Sequence, residues 1–348
     1  MAQALNLLYC YAPEDQQWPE IIDAQLSDLK RQHQIISRFD GVLVSTPEQK
    51  AHLHALMPNI DMVLLLVSPH FQAVESFWQA FCQESAKYWL GWRGGCRVVA
   101  FVLEPVAWNH APALAREILP REGIPPRAEQ EPEPHQPLTA FPNDVRPLSM
   151  WSSQKLAFEQ IALWLRVTIE RQWLARGDFL DLEGMGTMAQ EALAAYDEAL
   201  RLNPLLKEAW TGKARVFIGL RQDEEVIEKA AHQKKASQSD KDDTPLGPQL
   251  YEDAILACEA ALRLDPTYFW AWETEAHALV GLKRYEEAVQ AYDEALQAYE
   301  KYLRENPTRG RFWYADTWYW KSKALKAMGR KREARQAEKT ARQLGRRW

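Results

Sequence analysis

The chain has 348 residues, 47% of them hydrophobic and 26% charged, which is enough for two or three globular domains with their own cores. A net charge of -6 gives no general reason to expect nucleic acid, and no apolar run approaches the roughly 18 residues that a membrane-spanning helix needs. The four cysteines are far apart and lack zinc-binding spacing, so we expect reduced thiols in a cytoplasmic protein without a metal.

The first half of the chain alternates apolar strands with helices, which is the pattern of a parallel α/β sheet. Apolar runs predict strands at Leu5–Tyr11, 35–39, 61–67 and 97–103. Asp40-Gly41 is expected to turn the chain after the second strand. A Pro- and Glu-rich surface excursion is predicted at 109–147, and a short fifth strand at 146–151. The next helix, capped by Ser152 or Ser153, should run from Gln154 to about Trp173 and pack through Leu156, Ile161, Leu165 and Ile169.

The third of these strands is the one around which the sheet is organised. Residues 63–67 are all large and apolar without alternation, which is typical of a strand that is covered on both faces. The strand ends at Ser68-Pro69, because proline cannot donate a hydrogen bond to the ladder. Ligands of open α/β sheets bind at the carboxyl ends of the strands, so we expect a site near Ser68.

Five segments of this half together resemble a bacterial-type Toll/interleukin-1 receptor (TIR) domain over roughly residues 5–173. They are LLYCYAPEDQQWPEIIDAQLSDLKRQ, IISRFDG, DMVLLLVSPHF, RVVAFVLEPVAW and RPLSMWSSQKLAFEQIA. The resemblance implies a flavodoxin-like TIR fold. A flavodoxin-like receiver domain is the alternative, and it would need an acidic pocket at the first strand and a lysine at the fifth.

The TIR resemblance also implies a function and a set of site residues. TIR domains assemble with one another, and some cleave NAD with a glutamate roughly 12 or 13 residues beyond the serine of the Ser-Pro loop. That count from Ser68 reaches Ala80 and Phe81, so Phe81 replaces the glutamate, and Glu84 lies one helical turn too far along. NAD is expected as a substrate only in the alternative in which Glu84 acts, and no cofactor is expected. The residues that correspond to the TIR site are Tyr11, Ala12, Asp15, Asp40, Ser68, Trp78 and Phe81.

The second half of the chain repeats a short helical unit. Its copies are AYDEALRLNP at 195–204, ACEAALRLDP at 257–266 and AYDEAL at 291–296. Cys258 and the equivalent Tyr292 are 34 residues apart. A helical repeat of about 34 residues is the tetratricopeptide (TPR) signature, in which paired helices approach through small side chains. The aligned small residues are Ala192, Ala254, Ala288 and Ala334, and Ala199, Ala261, Ala295 and Ala341.

An all-α TPR solenoid, with three complete repeats and a partial first one, is therefore predicted over 178–348. An inserted and partly mobile loop is expected at 222–249. Packing between repeats is one interpretation of the aromatic cluster at 312–320, and a peptide-binding groove is the other. Consecutive residues on a helix point in different directions, so we expect some of these rings to face outward. The groove candidates are Trp270, Trp313, Tyr314, Tyr319 and Trp320.

The sequence thus predicts a TIR-like domain at 1–175 followed by TPR-like repeats at 178–348. We expect a signalling or bacterial defence protein that acts through contacts with other proteins, with a protein or peptide partner on the solenoid and TIR–TIR self-association. The alternative is an NAD hydrolase regulated by the repeats. Neither membrane nor nucleic acid is an expected partner, and we interpret the eleven Lys and Arg of the last 28 residues as a solvated helix face.

Overall fold

A parallel sheet is the frame of the amino-terminal part in a computed structural model of the protein. The structure describes residues 4–42, 47–56, 59–70, 97–105, 138–141, 147–183, 188–235, 248–305 and 311–345. The chain divides into two compact units, Met1–Arg176 and Gly177–Trp348.

Five strands form the sheet of the first unit: β1 (Leu5–Tyr11), β2 (Ile35–Val42), β3 (Met62–Val67), β4 (Arg97–Val102) and β5 (Leu138–Phe141). All neighbouring strands are parallel, and their order is β2-β1-β3-β4-β5. This is the strand order of flavodoxin-like folds. Every residue of β1 and β3 is buried, so both faces of the sheet are covered at these strands. The predicted α/β parallel-sheet class is confirmed.

Two details of the predicted sheet are wrong. The fifth strand is β5, within the stretch predicted as a surface excursion, whereas Leu148–Met150 form a 3-10 helix. A strand of four residues between polar, proline-rich segments gives too short an apolar run to stand out. In addition, β2 does not end at Asp40-Gly41 but continues to Val42, with an irregular register opposite Leu8 and Cys10. Glycine inside a strand commonly marks such a bulge.

The described helices that accompany the sheet include one that begins at the predicted Gln154. They are α1 (Gln17–Ala24), α2 (Ser27–Arg31), α3 (Pro47–Leu56) and α4 (Gln154–Glu183), with a 3-10 helix at Pro13–Asp15. The Ser153 hydroxyl accepts a hydrogen bond of 3.4 Å from the Leu156 backbone N–H and caps α4. The helix does not stop near Trp173 but continues through Gly177 to Glu183.

The buried stripe of α4 differs by one residue from the predicted one. Leu156 is 55% exposed, because it lies about 100° around the helix from its buried neighbour Ala157. The residues that are buried recur at every fourth position and are Ala157, Ile161, Leu165, Ile169 and Trp173.

The second unit consists of helices that pack in consecutive pairs. They are α5 (Ala189–Leu202), α6 (Lys207–Lys235), α7 (Gln249–Leu264), α8 (Phe269–Gly281), α9 (Tyr285–Glu305), α10 (Arg311–Ala327) and α11 (Lys331–Gln343). The pairs α6 with α7, α8 with α9, and α10 with α11 correspond to three repeats, and α5 precedes them. All eight aligned alanines are buried, which is what close helix packing requires. The predicted helical solenoid is confirmed.

The predicted loop at 222–249 is partly helical instead. α6 continues to Lys235, because residues 222–235 are rich in Glu, Lys, Ala and Gln, which favour helix. Residues 236–247 lie outside the described part of the chain. None of the described helices combines the length and the apolar character that crossing a membrane requires.

Candidate functional site

Asp15 and Ser68 meet at the carboxyl ends of β1 and β3. The Ser68 hydroxyl donates a hydrogen bond of 2.5 Å to Asp15 Oδ2 and accepts one of 3.1 Å from the His70 backbone N–H. Asp15 is only 4% exposed, and Ser68 is fully buried. We call Asp15, Ser68 and His70 the sheet-edge cluster. It lies between β1 and β3, which is where flavodoxin-like sheets bind their ligands.

The electrostatics of the sheet-edge cluster are dominated by burial. Burial raises the pKa of Asp15, and the neighbouring Glu104 and Glu14 act in the same direction. The hydrogen bond from Ser68 opposes this rise because it stabilises the ionised carboxylate. The cluster therefore offers a polar but enclosed serine–aspartate pair.

The other residues expected at the TIR site are not all brought to this pair. Tyr11 is buried, and its hydroxyl donates a hydrogen bond of 3.0 Å to the Phe39 carbonyl oxygen, towards β2. Ala12 is buried directly before the 3-10 helix that carries Asp15. Asp40 lies within β2. Three further residues lie outside the described part of the chain: Trp78, Phe81 and Glu84.

A second candidate site lies in the helical unit, where α8 and α10 face each other through three pairs of side chains. The pairs, which we call the ladder, are Trp270–Trp313, Glu273–Thr317 and His277–Trp320. Both aromatic pairs meet edge-on with ring centroids 5.2 Å apart. Between them, the Thr317 hydroxyl donates a hydrogen bond of 3.1 Å to Glu273 Oε1. Spacings of three and four residues place all three pairs on one line along each helix.

The aromatic pairs of the ladder reach solvent, although their middle pair does not. Trp313 is 46% exposed and Trp320 is 41% exposed, whereas Glu273 and Thr317 are buried. Indole rings that remain half exposed in a folded unit are the feature expected of a binding surface. Thus the structure brings together three of the five predicted groove residues, which are Trp270, Trp313 and Trp320.

The other two groove candidates have further partners of their own, although the Tyr319 ring centroid lies 5.3 Å from that of Trp320. The Tyr314 hydroxyl donates a hydrogen bond of 2.8 Å to Glu300 Oε1 of α9, so this ring belongs to packing between repeats. Tyr319 lies on the opposite side of α10 from Tyr314, and Lys323 Nζ lies 4.8 Å from its ring centroid. Neither residue is part of the ladder.

The ionisable groups of the ladder are strongly affected by burial. Burial raises the pKa of Glu273 to about 7, with Asp316 adding to the rise and the Thr317 hydrogen bond opposing it. Burial lowers the pKa of His277 to about 4, so this ring is neutral at pH 7. The His277 Nδ1 atom lies 3.2 Å from the Tyr292 hydroxyl.

Glu273 and His277 are functional candidates that the sequence did not single out. They occur in FWAWETEAHALVG, where two glutamates and a histidine stand within a largely apolar helix. That unusual placement is the signal that could have identified them, because a charged side chain in such a helix either is exposed or needs a partner. The described residues contain no group of three His, Cys, Asp or Glu arranged to hold a metal ion.

Comparisons with known proteins identify one repeat. The tetratricopeptide repeat family matches residues 271–307, which cover most of α8 and all of α9. The chain therefore contains a tetratricopeptide repeat at this place. A search of curated proteins finds no match. Among solved structures, a crystal structure of MamA protein is 17% identical over 50% of this chain and 91% of that one, with a TM-score of 0.23, which supports no conclusion about the fold.

Proposed function

We propose that the helical unit is a protein-binding module and that a segment of a partner protein lies along the ladder. The observation that carries this proposal is the pair of half-exposed indole rings on α10, which meet Trp270 and His277 of α8. Tryptophan contributes more binding energy at protein interfaces than most residues, because it combines a large apolar surface with few rotatable bonds. The tetratricopeptide repeat at 271–307 supports the proposal, since its helices carry one side of the ladder.

For the first unit we propose TIR-like self-association within a signalling or defence role. The five TIR-like segments of the sequence support it, and so does the flavodoxin-like strand order. A receiver domain would have the same strand order, so the preference for TIR comes from the segments. Concentration-dependent association of the full chain in sedimentation velocity would agree with this proposal. A monomer at every concentration up to about 100 µM, which covers weak micromolar association, would contradict it.

The binding proposal is tested with the full chain and a displayed library of random 12-residue peptides. Selected peptides are synthesised with a fluorophore, and their affinities are measured by polarisation. We expect Trp313→Ala and Trp320→Ala each to weaken binding about thirtyfold, because truncating a central interface tryptophan commonly costs about 2 kcal/mol. The matched control is Leu256→Ala, which removes a 60% exposed apolar side chain from α7.

Equal affinities for the wild type and both tryptophan variants would contradict the proposal. So would a selection that enriches no peptide. Equal losses in the Leu256→Ala variant would also contradict it, because they would show that binding does not depend on the ladder.

A further inference from the structure

The middle pair of the ladder indicates what kind of segment binds there. Building on the proposed binding function, we infer that the partner segment carries a lysine or arginine whose positive charge lies over Glu273, between the two aromatic pairs of the ladder. Lysine and arginine share a positively charged group on a flexible aliphatic stem.

The position of Glu273 in the ladder is the first argument. Glu273 follows Trp270 by three residues and precedes His277 by four, so an aromatic pair flanks it on each side along α8. The negative faces of indole rings attract cations, and the carboxylate at the centre supplies a full opposite charge. An aliphatic stem can lie against the half-exposed rings of Trp313 and Trp320.

A buried hydroxyl beside Glu273 is the second argument. Tyr299 of α9 is fully buried, and its hydroxyl has no hydrogen-bond partner in the described part of the chain. Burial, and then the nearby Glu273 and Asp316, raise the pKa of this hydroxyl, so it lies in the same acidic region. Its ring lies 6.1 Å from that of Trp270. A buried hydroxyl without a partner is costly, so the polar groups around Glu273 are incompletely satisfied in the unbound protein.

The pairing of other carboxylates in this unit is the third argument. Asp265 is paired with Lys207 at 2.6 Å, and Asp181 is paired with Arg215 at 2.9 Å. Glu273 receives the Thr317 hydroxyl instead, which is neutral, and His277 beside it is also neutral at pH 7. A buried carboxylate is stabilised far more by a cation than by a neutral donor. An incoming lysine or arginine would give Glu273 the kind of partner that Asp265 and Asp181 already have.

The inference is tested on the peptides selected by the full chain. We expect lysine or arginine at one fixed position among the peptides that need Trp313 and Trp320. Replacing that residue by norleucine, which keeps the stem and removes the charge, should weaken binding about tenfold or more. Glu273→Gln should cause the same loss, because glutamine keeps the acceptor for Thr317 but carries no charge. The control Glu294→Gln removes an exposed carboxylate of α9 and should leave binding unchanged.

Calorimetry measures the protons released on binding, which a purely structural role of Glu273 would not change. The groups that face Glu273 are Thr317 and Asp316 of α10 and Tyr299 and Tyr292 of α9, with His277 on its own helix. Since the pKa of Glu273 is about 7, it is partly protonated at pH 7, and a bound cation would favour its ionised form. Binding should therefore release protons in the wild type and none in Glu273→Gln, and affinity should rise as the pH passes through 7.

Two results distinguish the inference from the proposed function. Peptides that depend on the ladder tryptophans but carry acidic or only apolar residues would overturn the inference and leave the binding function in place. Peptides that do not depend on those tryptophans would overturn both. Ladder-dependent binding with full affinity in Glu273→Gln would also overturn the inference.

Discussion

Glu275 and Glu259 occupy positions where the other two junctions between repeats carry an ion pair. Lys213 Nζ lies 2.5 Å from Asp197 Oδ1, and the equivalent Lys321 pairs with Asp293. At the middle junction the repeat alignment places two glutamates instead. Burial, and then Glu259, raise the pKa of Glu275 to about 7 from its ordinary 4.5. Each of these residues is ordinary by itself, and only the comparison between repeats shows the like-charged pair.

Glu275→Lys should stabilise the helical unit by about 1 kcal/mol at pH 7.5, because it recreates the ion pair found at the other two junctions. The wild type should lose stability as the pH rises from about 4.5 to 7, since the unfolded chain releases the protons of Glu275 and Glu273 more readily than the folded one. Thermal unfolding followed by circular dichroism checks both effects. Glu275→Gln is the control, because it removes the repulsion without adding a cation. A lysine variant that is less stable than the glutamine variant would show that the repeats are not equivalent here.

Contacts between helices rely on glycines that lie against buried tyrosine rings. A Cβ atom at Gly212 of α6 would come within 2.3 Å of the Tyr196 ring of α5, and one at Gly281 of α8 would come equally near Tyr251 of α7. Tyr196 is fully buried, so its ring cannot simply move into solvent. These glycines therefore serve close helix approach, although glycine by itself weakens a helix.

Gly212→Ala should destabilise the helical unit by about 1 to 3 kcal/mol, because the added methyl group must displace the Tyr196 ring. The matched control is Gly219→Ala in the same helix, where a Cβ atom would meet nothing within 4 Å. That control should gain about 0.5 to 1 kcal/mol from helix propensity. Urea unfolding of both variants compares them directly, and equal stabilities would mean that α5 and α6 are less closely packed than the structure shows.

Across the whole molecule, the features that the sequence predicted are those set by local sequence patterns, and the features it missed are those set by contacts between distant residues. β1 and β3 were recognisable because burial on both faces leaves a continuous apolar run. The paired helices were recognisable because small residues recur with the period of the repeat. β5 was missed because its four residues acquire their role only by pairing with β4. Glu273 was missed for the same reason, since its burial depends on Thr317, 44 residues away along the chain.

Catalysis by the first unit is the remaining question about the molecule as a whole, and we expect the full chain not to cleave NAD. The TIR resemblance places Phe81 where a carboxylate is needed, and phenylalanine can neither stabilise a developing cation nor transfer a proton. Glu84 comes three residues later in the sequence, and three residues of any α-helix span about 5 Å, whereas positioned chemistry tolerates errors of only about 1 Å. The Ser68 hydroxyl donates a hydrogen bond to the Asp15 carboxylate.

Nicotinamide release is the measurement that checks this expectation, with the full chain incubated alone and with the peptides that bind its ladder. We expect no release above the background without protein in either case. The control is Glu75→Ala, at the glutamate that precedes Glu84 in the sequence. Release by the wild type that is abolished in Glu84→Ala and retained in Glu75→Ala would prove the expectation wrong and assign catalysis to Glu84. Phe81→Glu restores the carboxylate at the expected position, so a gain of activity in this variant alone would show that the first unit kept a TIR-like NAD site and lost only its catalytic group.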